Sequence, residues 1–307
     1  MTRLGKFRLC LLLLVSLFGH SSQAASVIVT PDADTFIRSA ASTNNFGGAG
    51  AIAVSGSAAV NENNQQNGLF DSLLRFSMTN VVASLDTNLG SHDWLIYRAR
   101  LHLTELGAPV STIFNRGVGA FEIRWLAANE WTEGTGIPVE PTTDGVTWNE
   151  VASLLDPARD VSLGQFTNSG VDGGLTMSLA LKDAFVSDVR SGTSVTFYLT
   201  AASPQIGFTA GSRTFFVSTN LPELEIEADL NPHPRIDAIH LLGTNVMLSF
   251  GLVSNWTYTL QYTDGLPVAT GSWPNRVVIP PQPTNSQFNF VDEITNQQRF
   301  YRLSLSR

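Results

Sequence analysis

Cysteine is almost missing from this 307-residue chain: Cys10 is the only one, and it stands at the head of the first apolar run. With no second thiol there is no disulfide to expect and no thiolate metal set, so stability has to come from packing. Lysine is nearly as scarce, Lys182 being the only one after residue 6. Apart from Lys182 and histidine, positive charge beyond residue 6 is arginine, whose planar fork suits carboxylates. His92, His102, His233 and His240 are scattered, His102 on an expected strand and His233 between two prolines, which leaves no ordered histidine set for base catalysis. G-x-S-x-G is absent, and with it the nucleophile elbow of a serine hydrolase. No repeat occurs at solenoid spacing. Past the first twenty residues no apolar run approaches the ~18 residues of a membrane span.

The amino terminus supplies what those absences lean on. "MTRLGKFRLC" carries Arg3, Lys6 and Arg8, the run "LCLLLLVSLF" follows, and "GHSSQA" ends in small residues. That order is expected to be a secretory signal, residues 1–24, cleaved after Ala24, which gives an extracellular protein without a membrane span. Cys10 precedes the apolar run, so it does not read as a lipid-attachment cysteine. Its loss with the signal also removes any cysteine nucleophile. Removing residues 1–24 takes three of the 18 basic residues, leaving 15 against 26 acids, a balance of −11. Nucleic acid, which wants a basic face, is not an expected partner.

Short alternating runs dominate the rest. "SVIVT", "DTFIR", "AIAVSG", "SLLRFSM", "RARLHLTEL", "AFEIRWLA", "SVTFYLTA", "RTFFVST" and "ELEIEA" are rich in β-branched and aromatic residues, bounded by Gly, Ser, Thr and Asn, and predict strands. In "RARLHLTEL" Leu101, Leu103 and Leu106 mark the buried side, with a slip at the end that predicts a bulge. One stretch differs: Leu181, Phe185, Val186 and Val189 recur at helical spacing with Gly192 behind, a short amphipathic helix. About ten strands and one helix over residues 26–228 predict an all-β, jelly-roll-type sandwich. "DLNPHPRI", residues 229–236, reads as a linker. Residues 237–307 hold six more short runs, a small fibronectin-type-like β-domain short of a strand.

The chemistry-bearing stretches are "EWTEGTG" and "VTWNE", each with a Trp two positions before a Glu: Trp131 with Glu133, Trp148 with Glu150. On a strand such pairs share a face, and an inward Glu would need Arg75 or a loop amide as its partner. The two stretches read chiefly as the clamp of a long loop, then as a sugar platform, and last as a catalytic dyad. Glu130, Glu133, Asp144 and Glu150 are close in sequence, but spacing does not set them across a cleft as glycoside hydrolysis requires. Candidate sugar-binding residues are Trp94, in the polar "SHDWLIY" stretch and so the best candidate for exposure, with Trp125, Trp131 and Trp148. Arg98 and Arg124, with Arg38 and Arg116, are candidate forks for an anionic glycan. Asp32, Asp34 and Asn44, near Asn45, are hard oxygen ligands suited to a structural calcium, although Asx residues beside glycine form turns by default. Arg75 among the apolar residues of "LLRF" has to be paired if buried, by an ion pair or a carbonyl clamp.

In order along residues 26–228, "PDADTFI", "STNNFGGAG", "DSLLRFSM", "RARLHLTEL", "WTE", "VTWNE" and "TFFVSTNLPELEIE" resemble the motifs of the secreted bacterial DNRLRE family, also described as carbohydrate-binding module family 96. The resemblance implies a jelly-roll sandwich that binds polysaccharide, acidic polymers such as alginate among the suggested ligands, and no catalysis. The second domain, ending "W…QRFYRL", is similar to short C-terminal modules of large secreted bacterial proteins. The expected function is therefore a secreted, non-catalytic carbohydrate-binding protein. A structural or adhesive envelope protein that binds other proteins or matrix is the alternative.

Overall fold

The computed structural model describes residues 24–306 apart from 62, 67, 108–112, 114–116, 171, 172, 218, 220, 233, 266–272 and 294–297. The segment read as a secretory signal thus lies, but for Ala24, outside the described residues, as do Arg116 and His233. The chain divides into two compact units, Ala24–Asn231 and Pro232–Arg307. No helix among the described residues is long and apolar enough to cross a membrane.

The first unit is built of strands β1 (Ala24–Val29), β2 (Ala33–Arg38), β3 (Ala51–Ser55), β4 (Phe70–Ser77), β5 (Trp94–Glu105), β6 (Gly119–Leu126), β7 (Val161–Asn168), β8 (Gly173–Ser178), β9 (Ser194–Ala201), β10 (Gly207–Gly211) and β11 (Glu223–Leu230). They follow the order β1-β11-β5-β10-β3-β4-β9-β6-β7, with β2 on β4 and β8 on β5. Alternation drives the arrangement. Ala99, Leu101 and Leu103 of β5 are buried while Arg98, Arg100 and His102 point away. Residues from both ends of the order, such as Leu224 and Ile226 of β11 and Phe121 and Ile123 of β6, fill one buried cluster. The sheet therefore closes over itself as a sandwich, the all-β fold its sequence pattern predicts. Each buried Leu or Phe contributes about 1.5–3 kcal/mol.

Several local expectations need correction. The bulge expected at the end of "RARLHLTEL" sits at its start: Glu227 pairs with Arg98 and Ala228 with Ile96, so Tyr97 is the extra residue. That insertion allows Trp94 and Ala99, five apart, both to face inward. Asp229 and Leu230, placed in a linker from sequence, are the last residues of β11 and pair with Leu95 and Trp94. "RTFFVST" is not a strand, because β10 stops at Gly211 and the chain turns. The expected helix is present as α3 (Asp183–Ser191), with Phe185 and Val189 buried and Gly192 left-handed behind it. Two more helices accompany it: α1 (Thr79–Leu89), with Val81, Leu85 and Leu89 buried, and the single turn α2 (Trp148–Val151).

The second unit has β12 (Ala238–Leu242), β13 (Asn245–Leu252), β14 (Thr257–Thr263), β15 (Asn275–Ile279), β16 (Ser286–Glu293) and β17 (Phe300–Ser306). They form two three-stranded sheets, β12-β13-β16 and β15-β14-β17. Leu248, Phe250, Tyr258 and Leu260 are buried between polar neighbours on β13 and β14. Asp292 is fully buried and is held by Arg276, Arg299 and Tyr301. Burial alone would raise its pKa, but those donors outweigh it and keep the carboxylate ionised below its usual range.

Candidate functional site

Arg75 is the pin of the first unit's largest loop, residues 127–160. Its Nε meets Asp32 Oδ1 at 3.1 Å, and its Nη1 donates to the carbonyls of Asn129 (3.2 Å) and Trp131 (2.9 Å). The guanidinium also lies 5.3 Å from the centre of the Trp131 ring. Both expected partners, an ion pair and a carbonyl clamp, are realised at once. Trp131 packs with Ile37, Leu73, Leu126 and Tyr198 on the outer face of β2, β4, β6 and β9, and its Nε1 donates to Thr196 Oγ1 at 3.1 Å. The two Trp-containing limbs are joined by Val146 N to Thr132 O at 2.9 Å.

Neither Trp-x-Glu pair is on a strand. Trp148 opens α2, where Glu150 accepts from Thr147 N at 3.1 Å in a capping box. That turn pulls Trp148 half under the loop and turns Glu150 back onto the helix start. Glu133 pairs with Arg213, not Arg75, accepting from its Nε and Nη2, and accepts from Asp34 N at 3.2 Å. Asn45 locks the same corner, its Nδ2 donating to Glu133 O (2.7 Å) and Val146 O (3.0 Å) and its Oδ1 accepting from Gly47 N (3.0 Å) and Gly136 N (3.4 Å).

The residues singled out for sugar and metal do not converge. Trp94, expected to be exposed, is fully buried. Its Nε1 donates to Asp86 Oδ1 of α1 at 2.7 Å, and Arg190 of α3 lies 5.1 Å over the ring. The indole thus ties both helices to β5. Trp125 likewise donates to Asp188 of α3 at 3.1 Å. Arg98 is spent on Glu227, with bonds of 2.7 and 2.5 Å. Arg124 reaches Asp160 O at 3.5 Å and lies 3.9 Å from Glu122. Of the proposed calcium ligands, Asp32 is paired with Arg75, Asp34 is buried with Oδ2 accepting from Arg213 N at 2.7 Å, and Asn44 meets Thr43 Oγ1 at 3.5 Å. No cluster of three His, Cys, Asp or Glu fit for a metal occurs among the described residues. Asp32, Asp34 and Asn44 are thus held separately, by an arginine side chain, a backbone amide and a threonine hydroxyl.

Two concavities among the described residues lie close to these side chains. The first, about 410 Å³, lies against the clamp and is lined by Glu130, Trp131, Asp144, Glu150 and Leu154 among others. Two of its three acids already have structural partners. Asp144 accepts from Thr142 Oγ1 (2.5 Å), Thr135 Oγ1 (2.7 Å) and Thr135 N (3.0 Å), which draws its pKa down to about 2. Glu150 is the helix cap. A glycosidase pair instead has one carboxyl pushed up and one kept ionised.

The second is a groove of about 340 Å³ between the Gly48–Ala51 segment, Leu106, Ile113, Pro138, Thr209 and the Thr214–Phe216 turn. Adjacent phenylalanines cannot both face inward from a strand, and here the turn leaves Phe216 exposed and Phe215 half-buried. Phe215 N donates to Ser212 O at 3.0 Å, the two rings are 4.5 Å apart, and Phe216 is 81% exposed. The doubled Phe was the signal in the sequence, obscured by the strand reading. Thr209 is 4% exposed, and its Oγ1 has no hydrogen-bond partner. Behind the turn, burial pushes Asp34 up to about 7 against the pull of the Arg213 amide.

No family model matches the chain, and no curated protein does. Among solved structures the chain is similar to the glycoside hydrolase domain of Endo-D from Streptococcus pneumoniae R6, at 11% identity and a TM-score of 0.17. The alignment covers 92% of this chain and 36% of that one, so the chain spans about a third of that structure's length. At that score the likeness carries no argument for fold or activity.

Proposed function

We propose that this is an exported, non-catalytic carbohydrate-binding protein that holds a glycan in the groove beside Phe215 and Phe216. The observation that carries this reading is Phe216: a large aromatic 81% exposed, next to a second ring, at the rim of a concavity. Apolar faces of sugar rings stack on such surfaces while nearby polar groups meet their hydroxyls, and the groove's volume falls within the range of about 300–1,000 Å³ of ligand sites. The motif resemblance to the DNRLRE family and the charged-then-apolar amino terminus support the same reading. The structural duties of Asp144 and Glu150 support a non-catalytic role.

The test is retention of the full chain on insoluble cellulose, xylan, chitin and alginate beads, with and without EDTA, with reducing ends and unsaturated products followed in parallel. Retention is expected on at least one polymer. Retention on none contradicts carbohydrate binding, and product release contradicts the absence of catalysis.

The second reading, a structural or adhesive envelope protein, draws on β12, which among the described residues pairs only with β13 and exposes Ile239 (59%) and Leu241 (77%). An open apolar edge strand is a template for pairing. Self-association in sedimentation velocity, abolished by Leu241→Lys, is the result that would favour it.

A further inference from the structure

We infer that the Phe215–Phe216 groove takes a neutral sugar and not a uronate, with the Thr209 hydroxyl as its polar anchor; this rests on the carbohydrate-binding reading above. No charged side chain lines the groove among the described residues. The guanidinium nearest in sequence to the two phenylalanines, that of Arg213, gives its Nε and Nη2 to Glu133 and does not line the groove. A carboxylate sugar would thus be desolvated against Phe, Ile and Pro without a counter-charge, a large penalty. The formal charge of −8 opposes a polyanion at longer range as well. A neutral pyranose meets neither obstacle.

Thr209 supplies the polar end. On β10, Phe208 and Ala210 face the sandwich core, so Thr209 lies on the opposite face, where it lines the groove. Its hydroxyl is covered and bonded to nothing in the protein. Buried hydroxyls without a partner are rare and call for a reason. The hydroxyl therefore has no protein hydrogen bond to lose when a sugar hydroxyl satisfies it.

The experiment compares full-length wild type, Thr209→Val, Thr209→Ser and Phe216→Ala on cellulose, xylan and β-1,3-glucan against alginate and polygalacturonate, with thermal midpoints for each. Retention is expected on a neutral polymer and not on the acidic ones. Thr209→Val, which removes an unsatisfied hydroxyl, is expected to melt no lower than wild type yet bind about three- to tenfold more weakly. Thr209→Ser should bind as wild type. Retention on acidic polymers alone overturns the neutral-sugar inference and leaves carbohydrate binding standing, whereas retention on none removes both. Undiminished binding by Thr209→Val overturns the role of Thr209.

Discussion

Asn45 uses both donors and both lone-pair directions of its side chain to hold the 47, 133–136 and 146 backbones together. Asn45→Ala orphans several backbone groups at once, so a loss of about 3 kcal/mol or more is expected in chemical denaturation. Asp34 carries a pH signature. Burial raises its pKa from an ordinary 3.8 to about 7, so the folded state holds the proton more tightly than the unfolded one. Its contribution is then most favourable below pH 4 and is lost as pH rises towards 7, by a few kcal/mol at most. In Asp34→Asn that fall is expected to vanish from thermal midpoints measured between pH 4 and 8. At this scale Arg75 was legible, because a cation among apolar neighbours leaves few options. Trp94 was not: its polar surroundings in sequence gave no hint that Asp86 and Arg190 close over it.

Elements were legible where period and punctuation agreed. Phe185, Val189 and Gly192 announced α3, and alternation announced most strands. Helix α1 carries Val81, Leu85 and Leu89 at clean helical spacing, but Thr, Val and Asn are weak helix formers, and its stability comes from tertiary packing that the sequence does not display. Helix α2 is a single capped turn, too short to show a period. The clamp loop is the element with most to lose. Arg75→Leu keeps the apolar bulk but gives up the Asp32 pair and two carbonyl bonds. A cost of about 2–4 kcal/mol is expected from the bonds lost and the carbonyls left unpaired. Limited proteolysis should then cut first within residues 127–160, with the strand signal in circular dichroism retained. Gly134→Ala should act alike, since φ there is +76° and a Cβ would fall 2.2 Å from Asn45 Oδ1.

For the whole molecule, the all-β class followed from composition and short alternating runs, whereas the strand order did not. β11 joins β1 to β5, and β9 joins β4 to β6; such partners are remote in the chain and leave no local trace. The groove belongs to this scale, since the 48–51 segment, Leu106, Thr209 and the Thr214–Phe216 turn meet only once the sheet has closed. Phe216 barely touches the core, so Phe216→Ala should leave stability within about 0.5 kcal/mol of wild type. The most direct measurement is affinity electrophoresis of wild type and Phe216→Ala in gels containing soluble xylan or β-glucan. Glycan binding in the groove requires retarded migration of wild type in at least one neutral gel, with at least a tenfold weaker effect in the variant at an unchanged melting temperature. Equal retardation of the two proteins, or none of either, would contradict it.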